Sequence, residues 1–207
     1  MIHIYIKEIL QEIDSCDNPA DLDQMKTFWS DNYLVGLFWK CKSIFFDKES
    51  TELDRKKAMT KASYINFCYS AQIPINRRIN RFKAPHGFRG IFISASASIG
   101  IGCTIFHHVT IGSNTLLDSK NAGSPTIGNN VYIGAGAKII GNVKIGNNVR
   151  IGAGCFVAED IEDNTVVIQA RASKIHRVKK LDNRFFRIAE FNQIKKSQHA
   201  DQNSELI

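Results

Sequence analysis

The chain lacks most of the features that would assign it to a class at once. Its five cysteines, Cys16, Cys41, Cys68, Cys103 and Cys155, are odd in number, widely spaced and free of any C-x-x-C pair. That pattern argues against a disulfide framework and against a zinc knuckle. No stretch approaches roughly eighteen uncharged apolar residues, so no membrane-spanning helix is expected. The start, "MIHIYIKEIL", carries Lys7 and Glu8 and has no small-residue cleavage site, so a secretory leader is not expected either. There is no Arg-rich run, helix-turn-helix pattern or RNA-binding aromatic motif, which leaves nucleic acid without a sequence argument. Together these absences fit a protein of the reducing cytoplasm.

What is present is enough apolar material, 43% of 207 residues, for one sizeable core or for one domain with a smaller appendage. The formal net charge of +7 suits an anionic partner. Nucleic acid, a membrane surface, a phosphorylated cofactor and an acidic polymer would all satisfy it, and charge alone does not choose among them.

The chain has two rhythms. Residues 1 to about 70 read as helical: Ile2, Ile6, Ile9 and Ile13 share one face, Asn18 and Pro19 form a cap and first helical position, and Leu22, Met25 and Phe28 continue the spacing. The aromatic run "FWSDNYLVGLFW" reads as buried packing. A further helix is expected from Thr51 toward Tyr69, with Leu53, Ala58, Ala62 and Ile65 facing inward.

From Ile93 onward the period is six. Ile93, Ile99, Ile105, Ile111 and Leu117 are six apart, and after a ten-residue gap so are Ile127, Ile133, Ile139, Ile145, Ile151 and Val157. Four residues after these lies a second column, Ala97, Cys103, Val109, Thr115, Val131, Ala137, Val143, Val149 and Cys155, all small or β-branched. Six is not a helical period, but it suits short strands joined by tight turns in a stacked solenoid. Three such strands would make one coil, and at that offset "IGAGAK" at 133 falls over "IGAGCF" at 151. The gap after Leu117 reads as four extra residues, a polar loop over 118–126. Before Ile93 the beat fails: Ile73 and Ile79 keep step, but Ile91 and Ile93 reveal a slip of two, which places a bulge or loop around 82–90. His86 lies in that segment, "APHGFRGIFIS".

These hexads, with "PHGFRGIFIS", "CTIFHHVTIGSN" and the tail "VVIQARASKI", resemble the hexapeptide-repeat acyltransferases, and within them the serine acetyltransferase branch. The resemblance implies a mainly β fold, a left-handed parallel β-helix over 71–175, preceded by a helical region over 1–70 and followed by a basic tail over 176–207. It implies acetyl-CoA as co-substrate and a homotrimer with sites between subunits; with no second histidine five residues beyond His107 or His108 and no nucleic-acid motif, no catalytic metal and no nucleic acid are expected. His86 matches the family's catalytic histidine and inherits the role of general base, which an imidazole titrating near neutrality can fill. His107 and His108, with Arg89 one coil before them, are candidates for contacting the acceptor; plain polar surface is the other reading. Ala135, Gly136, Ala153 and Gly154 are candidates for lining the pantetheine arm, and Lys174 in "RASKIHRVKK" for meeting the cofactor's phosphates, where ordinary solvated charge would also account for it. Cys103 and Cys155 fall in the small-residue column and read as structural.

Two departures shape the expected acceptor. Serine acetyltransferases carry a D-R-H-P stretch where this chain has Ser124 before Pro125, and an Asp in D-I-H-P where it has Ala71 in "AQIP". Their helical region before the repeats is also much longer. The expectation is therefore an O-acetyltransferase acting on a sugar hydroxyl in bacterial surface polysaccharide assembly, with serine O-acetyltransferase as the alternative and a non-catalytic β-helical scaffold or polyanion-binding module as a further one.

Overall fold

The structure is a computed structural model that describes residues 31–170 and, beyond them, Lys174, His176, Val178 and Glu190. The helical pattern read over residues 2–28 and most of the basic tail lie outside the described residues. Two units divide the chain, Met1–Ala170 and Arg171–Ile207.

Helix α1 (Asp31–Phe46) buries Leu34, Phe38, Trp39 and Cys41, a stripe at three-to-four spacing. Helix α2 (Glu52–Cys68) starts at a reciprocal cap: the Thr51 hydroxyl accepts the Asp54 N–H, and the Asp54 carboxylate accepts the Thr51 N–H, each at 3.1 Å. Ala58, Ala62 and Ile65 form its inner face as expected. Leu53 does not join them and is 59% exposed, because it sits in the first turn, beyond the packed stretch of the helix.

After α2 the chain winds into a left-handed parallel β-helix. Strand β1 (Pro85–Phe88) precedes eleven short strands that sort into three parallel sheets. The first face stacks β2 (Phe92–Ile93), β5 (Thr110–Gly112), β8 (Lys138–Ile140) and β11 (Phe156–Val157). The second stacks β3 (Ser98–Ile99), β6 (Thr126–Ile127) and β9 (Lys144–Ile145). The third stacks β4 (Thr104–Ile105), β7 (Tyr132–Ile133), β10 (Arg150–Ile151) and β12 (Val166–Val167). Isolated bridges from Gln72, Ile79 and Lys83 to Phe92, Ile99 and Thr104 add one earlier coil.

The aliphatic column is the core. Ile93, Ile99, Ile105, Ile111, Ile127, Ile133, Ile139, Ile145, Ile151 and Val157 are all at most 3% exposed, and the second column from Ala97 to Cys155 is buried beside them, Thr115 excepted. Burying each such side chain contributes roughly 1.5–3 kcal/mol. Leu117 is the correction: it is fully exposed. Ile99 pairs with Ile127, Ile105 with Ile133 and Ile111 with Ile139, each twenty-eight residues on, where Ile93 with Ile111, before the insertion, and Ile127 with Ile145, after it, are eighteen apart. The insertion is therefore ten residues, not four, and Leu117 and Thr115 keep the six-residue beat by coincidence. Asn114 and Gly123 exchange backbone hydrogen bonds at 2.8 Å and close the insertion as a hairpin between the first and second faces. That is a different corner from the histidines, so within one chain the loop does not cover them.

Candidate functional site

The corner between the third and first faces carries nearly every candidate residue. Its stack rises through backbone bonds from His108 N–H to Arg89 C=O (2.8 Å), Gly136 N–H to His107 C=O (3.0 Å) and Gly154 N–H to Ala135 C=O (2.8 Å). Positions eighteen or twenty-eight apart in sequence thus become neighbours. At this corner the chain turns through the left-handed region in every coil, at Gly90 (φ 62°), His108 (φ 57°), Gly136 (φ 70°) and Gly154 (φ 70°). Three of these four are glycine because a side chain there is strained by about 1–2 kcal/mol. His108 bears that strain, and backbone strain of this kind concentrates at functional sites. Its imidazole packs against Gly90, where an added Cβ would clash with Nδ1 of the ring.

The slip in register is localised here. Lys83 opposes Thr104, so Ala84 opposes Ile105, and nine residues separate Ala84 from Ile93 where six is the rule. The three additional residues let β1 depart from the stack and display His86 in an exposed position. What stops the segment from flapping is the residue two further on. Phe88 is fully buried and meets Phe38, Trp39 and Tyr69 edge-on, with ring centroids 5.1, 6.1 and 5.8 Å away, and Phe82 at 5.8 Å. The Gly90 N–H bonds to the Tyr69 carbonyl at 3.0 Å, and Gly87 (φ 64°) makes the turn between exposed His86 and buried Phe88. The helices therefore anchor the histidine segment.

His86 touches the next coil through two consecutive residues. Its ring stands edge-on to Phe106 at 5.3 Å, and its Nδ1 lies 2.8 Å from Nδ1 of His107, with the two rings tilted by 38°. A hydrogen bond between two Nδ1 atoms requires one ring to donate and the other to accept. The aromatic row continues from Phe106 to Tyr132 at 5.1 Å. Phe106 was missed by the sequence reading, although a signal existed: "IF" at 105 interrupts a series in which the aliphatic is usually followed by glycine.

Arg89 is exposed, with its guanidinium 6.0 Å from the centre of the Tyr69 ring. Ala135 and Gly136 are half-buried, Ala153 and Gly154 exposed, on the two coils above His107. Lys174 is exposed and belongs to the second unit, Arg171–Ile207. Cys103 and Cys155 are buried, and burial pushes the Cys103 thiol up, away from the thiolate a nucleophile needs. Ser124 continues a chain of hydroxyls, Ser94 to Ser113 at 2.5 Å and Ser113 to Ser124 at 2.6 Å, at the corner that carries the insertion. Among the described residues no group of three or more His, Cys, Asp or Glu is placed to hold a metal, and no helix is long and apolar enough to cross a membrane. A cavity of about 460 Å³ lies elsewhere, lined by Gly36, Trp39, Lys40, Lys42, Ser43, Phe46 and Arg81, none of them a candidate residue.

Comparison with known proteins agrees with the hexads and revises the acceptor. Residues 124–159 match the family described as bacterial transferase hexapeptide (six repeats). A serine acetyltransferase of Helicobacter pylori (strain J99) is 39% identical over 90 residues, 44% of this chain and 51% of that protein. One from Synechococcus elongatus is 41% identical over 92 residues, 44% of this chain and 36% of that protein. Among solved structures, the soybean serine acetyltransferase apoenzyme superposes with a TM-score of 0.53 at 29% identity, covering 69% of this chain and 57% of that one. The match thus spans about half the length of these curated relatives, or less. Residues 124–159 thus match a hexapeptide transferase family, and the chain is similar to serine acetyltransferases. The sugar-hydroxyl, surface-polysaccharide expectation is overturned: the relatives and the neighbouring structures are named serine acetyltransferases.

Proposed function

We propose that the chain transfers an acetyl group from acetyl-CoA to the hydroxyl of serine, with His86 as general base. The observation that carries the base assignment is the contact at 2.8 Å between the Nδ1 atoms of His86 and His107 on an exposed corner. With its Nδ1 engaged, His86 has only Nε2 left to meet a substrate. The serine hydroxyl attacks the thioester carbonyl while its proton passes to Nε2; the C–S bond then breaks, and the proton is returned to the departing CoA sulfur. No bond to the protein forms, which agrees with buried Cys103 and Cys155 taking no part. A positioned base of this kind contributes roughly 100- to 10,000-fold.

For the donor, the small residues Ala135, Gly136, Ala153 and Gly154 sit directly above His107 and leave the backbone approachable. The Gly136 and Gly154 N–H groups are engaged between coils, so the Ala135 and Ala153 N–H groups, which do not enter that ladder, are the donors on offer to a pantetheine arm. Homotrimeric assembly belongs to the same proposal. It is supported by apolar side chains standing on the sheet faces, Phe92, Tyr132, Phe156 and Val166, each more than 40% exposed.

The test is thiol release from acetyl-CoA with and without L-serine, with O-acetylserine identified by mass spectrometry. Serine-dependent release that falls at least about 100-fold in His86→Ala supports the reading. Absence of serine-dependent release from the trimeric protein, or full activity in His86→Ala, overturns it.

A further inference from the structure

The chain has Ala71 where a carboxylate partner for the base was expected, and Ala71 is a half-buried residue packed against the core. Some other group must hold His86. We propose that His107 is the positioning residue of this site, its Nδ1 accepting the Nδ1–H of His86 so that the Nε2 lone pair of His86 is free for the acceptor hydroxyl. This deepens the acetyl-transfer reading and rests on it for its kinetic half.

The argument begins with the proton count. A neutral imidazole carries one N–H, so the pair can be arranged in two ways. In one, His86 donates from Nδ1 and its Nε2 is a bare acceptor. In the other, His107 donates, the His86 proton sits on Nε2, and His86 cannot act as a base. Once His86 takes the substrate proton it holds N–H on both nitrogens, and only the first arrangement keeps the bond at 2.8 Å. The bond is then charge-assisted and stronger than before. His107 therefore contributes most as the transition state develops, which places its effect in kcat.

The fold holds His107 in a position suited to this. Its carbonyl is tied to the Gly136 N–H of the next coil, and its neighbour His108 is tied to the Arg89 carbonyl of the preceding one. Phe106, the residue before it, stands edge-on to the His86 ring at 5.3 Å. Among the described residues, the titratable or charged groups at this corner include His108, its ring 5.4 Å from that of His107, Arg89, Tyr132, whose ring is 5.1 Å from that of Phe106, and Lys138, whose Nζ lies 3.5 Å from the Gly136 carbonyl. None of these is a carboxylate, and the group placed against His86 Nδ1 is the His107 imidazole.

His107→Ala is expected to lower kcat roughly 10- to 100-fold, the range of a hydrogen bond to a charged group, with KM for serine and acetyl-CoA within about twofold of wild type. His107→Asn puts Oδ1 where Nδ1 stood and should recover most of that loss. The double variant His86→Ala/His107→Ala should be no slower than His86→Ala alone. Independently of turnover, two-bond ¹⁵N–¹H correlation spectra of the full-length protein should show His86 with its proton on Nδ1, and a shift toward the Nε2–H form in His107→Ala. A raised KM for serine at unchanged kcat, a His107→Asn variant as slow as His107→Ala, or His86 protonated on Nε2 in the wild type overturns the proposal. If the wild type fails to acetylate serine while the tautomer still responds to His107, the acceptor assignment has failed and the pairing stands.

Discussion

Replacing Phe88 by leucine tests whether the helices act on the chemistry. Phe88 is fully buried among Phe38, Trp39, Tyr69 and Phe82, and it sits two residues after His86 on β1. Truncation to alanine would cost about 3–5 kcal/mol, a large share of the ~5–15 kcal/mol available to a folded protein. Leucine keeps most of the buried volume and forfeits chiefly the edge-on ring contacts, each worth about 0.5–1.5 kcal/mol, so a loss of about 1–2 kcal/mol is expected once the new aliphatic contacts are counted. For a chain of this size that lowers Tm by roughly 2–8 °C. The protein stays folded, but the segment that holds His86 loses its fixed anchor. Because a misplacement of about 1 Å can cost on the order of 100-fold in rate, acetyl transfer should fall further than the Tm alone would suggest, with kcat down roughly 5- to 50-fold and KM for acetyl-CoA unchanged. Thermal melts followed by circular dichroism give the first quantity and thiol-release kinetics the second. A Phe88→Leu protein with the lowered Tm and wild-type kcat would show that the aromatic cluster supports the fold without positioning the base.

Deleting Asn114–Gly123, the whole ten-residue insertion, and joining Ser113 to Ser124 should leave the solenoid folded, because the two ends already exchange backbone bonds at 2.8 Å and the deletion restores the eighteen-residue coil; collapse of the circular dichroism spectrum would refute this register. At the start of α2, the Thr51 hydroxyl and then the Thr51 N–H hold the Asp54 carboxyl below its ordinary range. A depressed carboxyl stabilises the fold above the unfolded-state value and ceases to do so as pH falls through the folded-state value. Urea melts of Asp54→Asn should therefore converge with those of the wild type as pH drops below about 4; a constant offset would refute the cap's ionic character. Thr51→Ala should cost about 1 kcal/mol at neutral pH in the same melts.

Much of this was legible before any coordinates. Ile93 to Ile111 and Ile127 to Val157 mark the core because one inward residue per hexad is the only regular way to fill a narrow three-faced prism. The slip around His86 was also visible, since a lost beat in a strict repeat must be absorbed by backbone leaving the stack. Leu117 shows the limit: a six-residue step is a statement about sequence, and only the pairing of Ile99 with Ile127 shows that the chain had already left the coil. Ser124, Ala71 and the short helical region favour a sugar acceptor over serine when taken singly, and the similarity to serine acetyltransferases outweighs them.

The repeat, the stacked corners and the segment where a histidine would stand clear of the solenoid can all be read from residue order, because periodic burial is written directly in it. What stands against that histidine emerges from the folded chain. His86 and His107 are twenty-one residues apart, Phe88 and Phe38 fifty, and neither distance has a local signature. These contacts exist because coils stack at the spacing of parallel strands and because the helices lie against β1, which no linear pattern records.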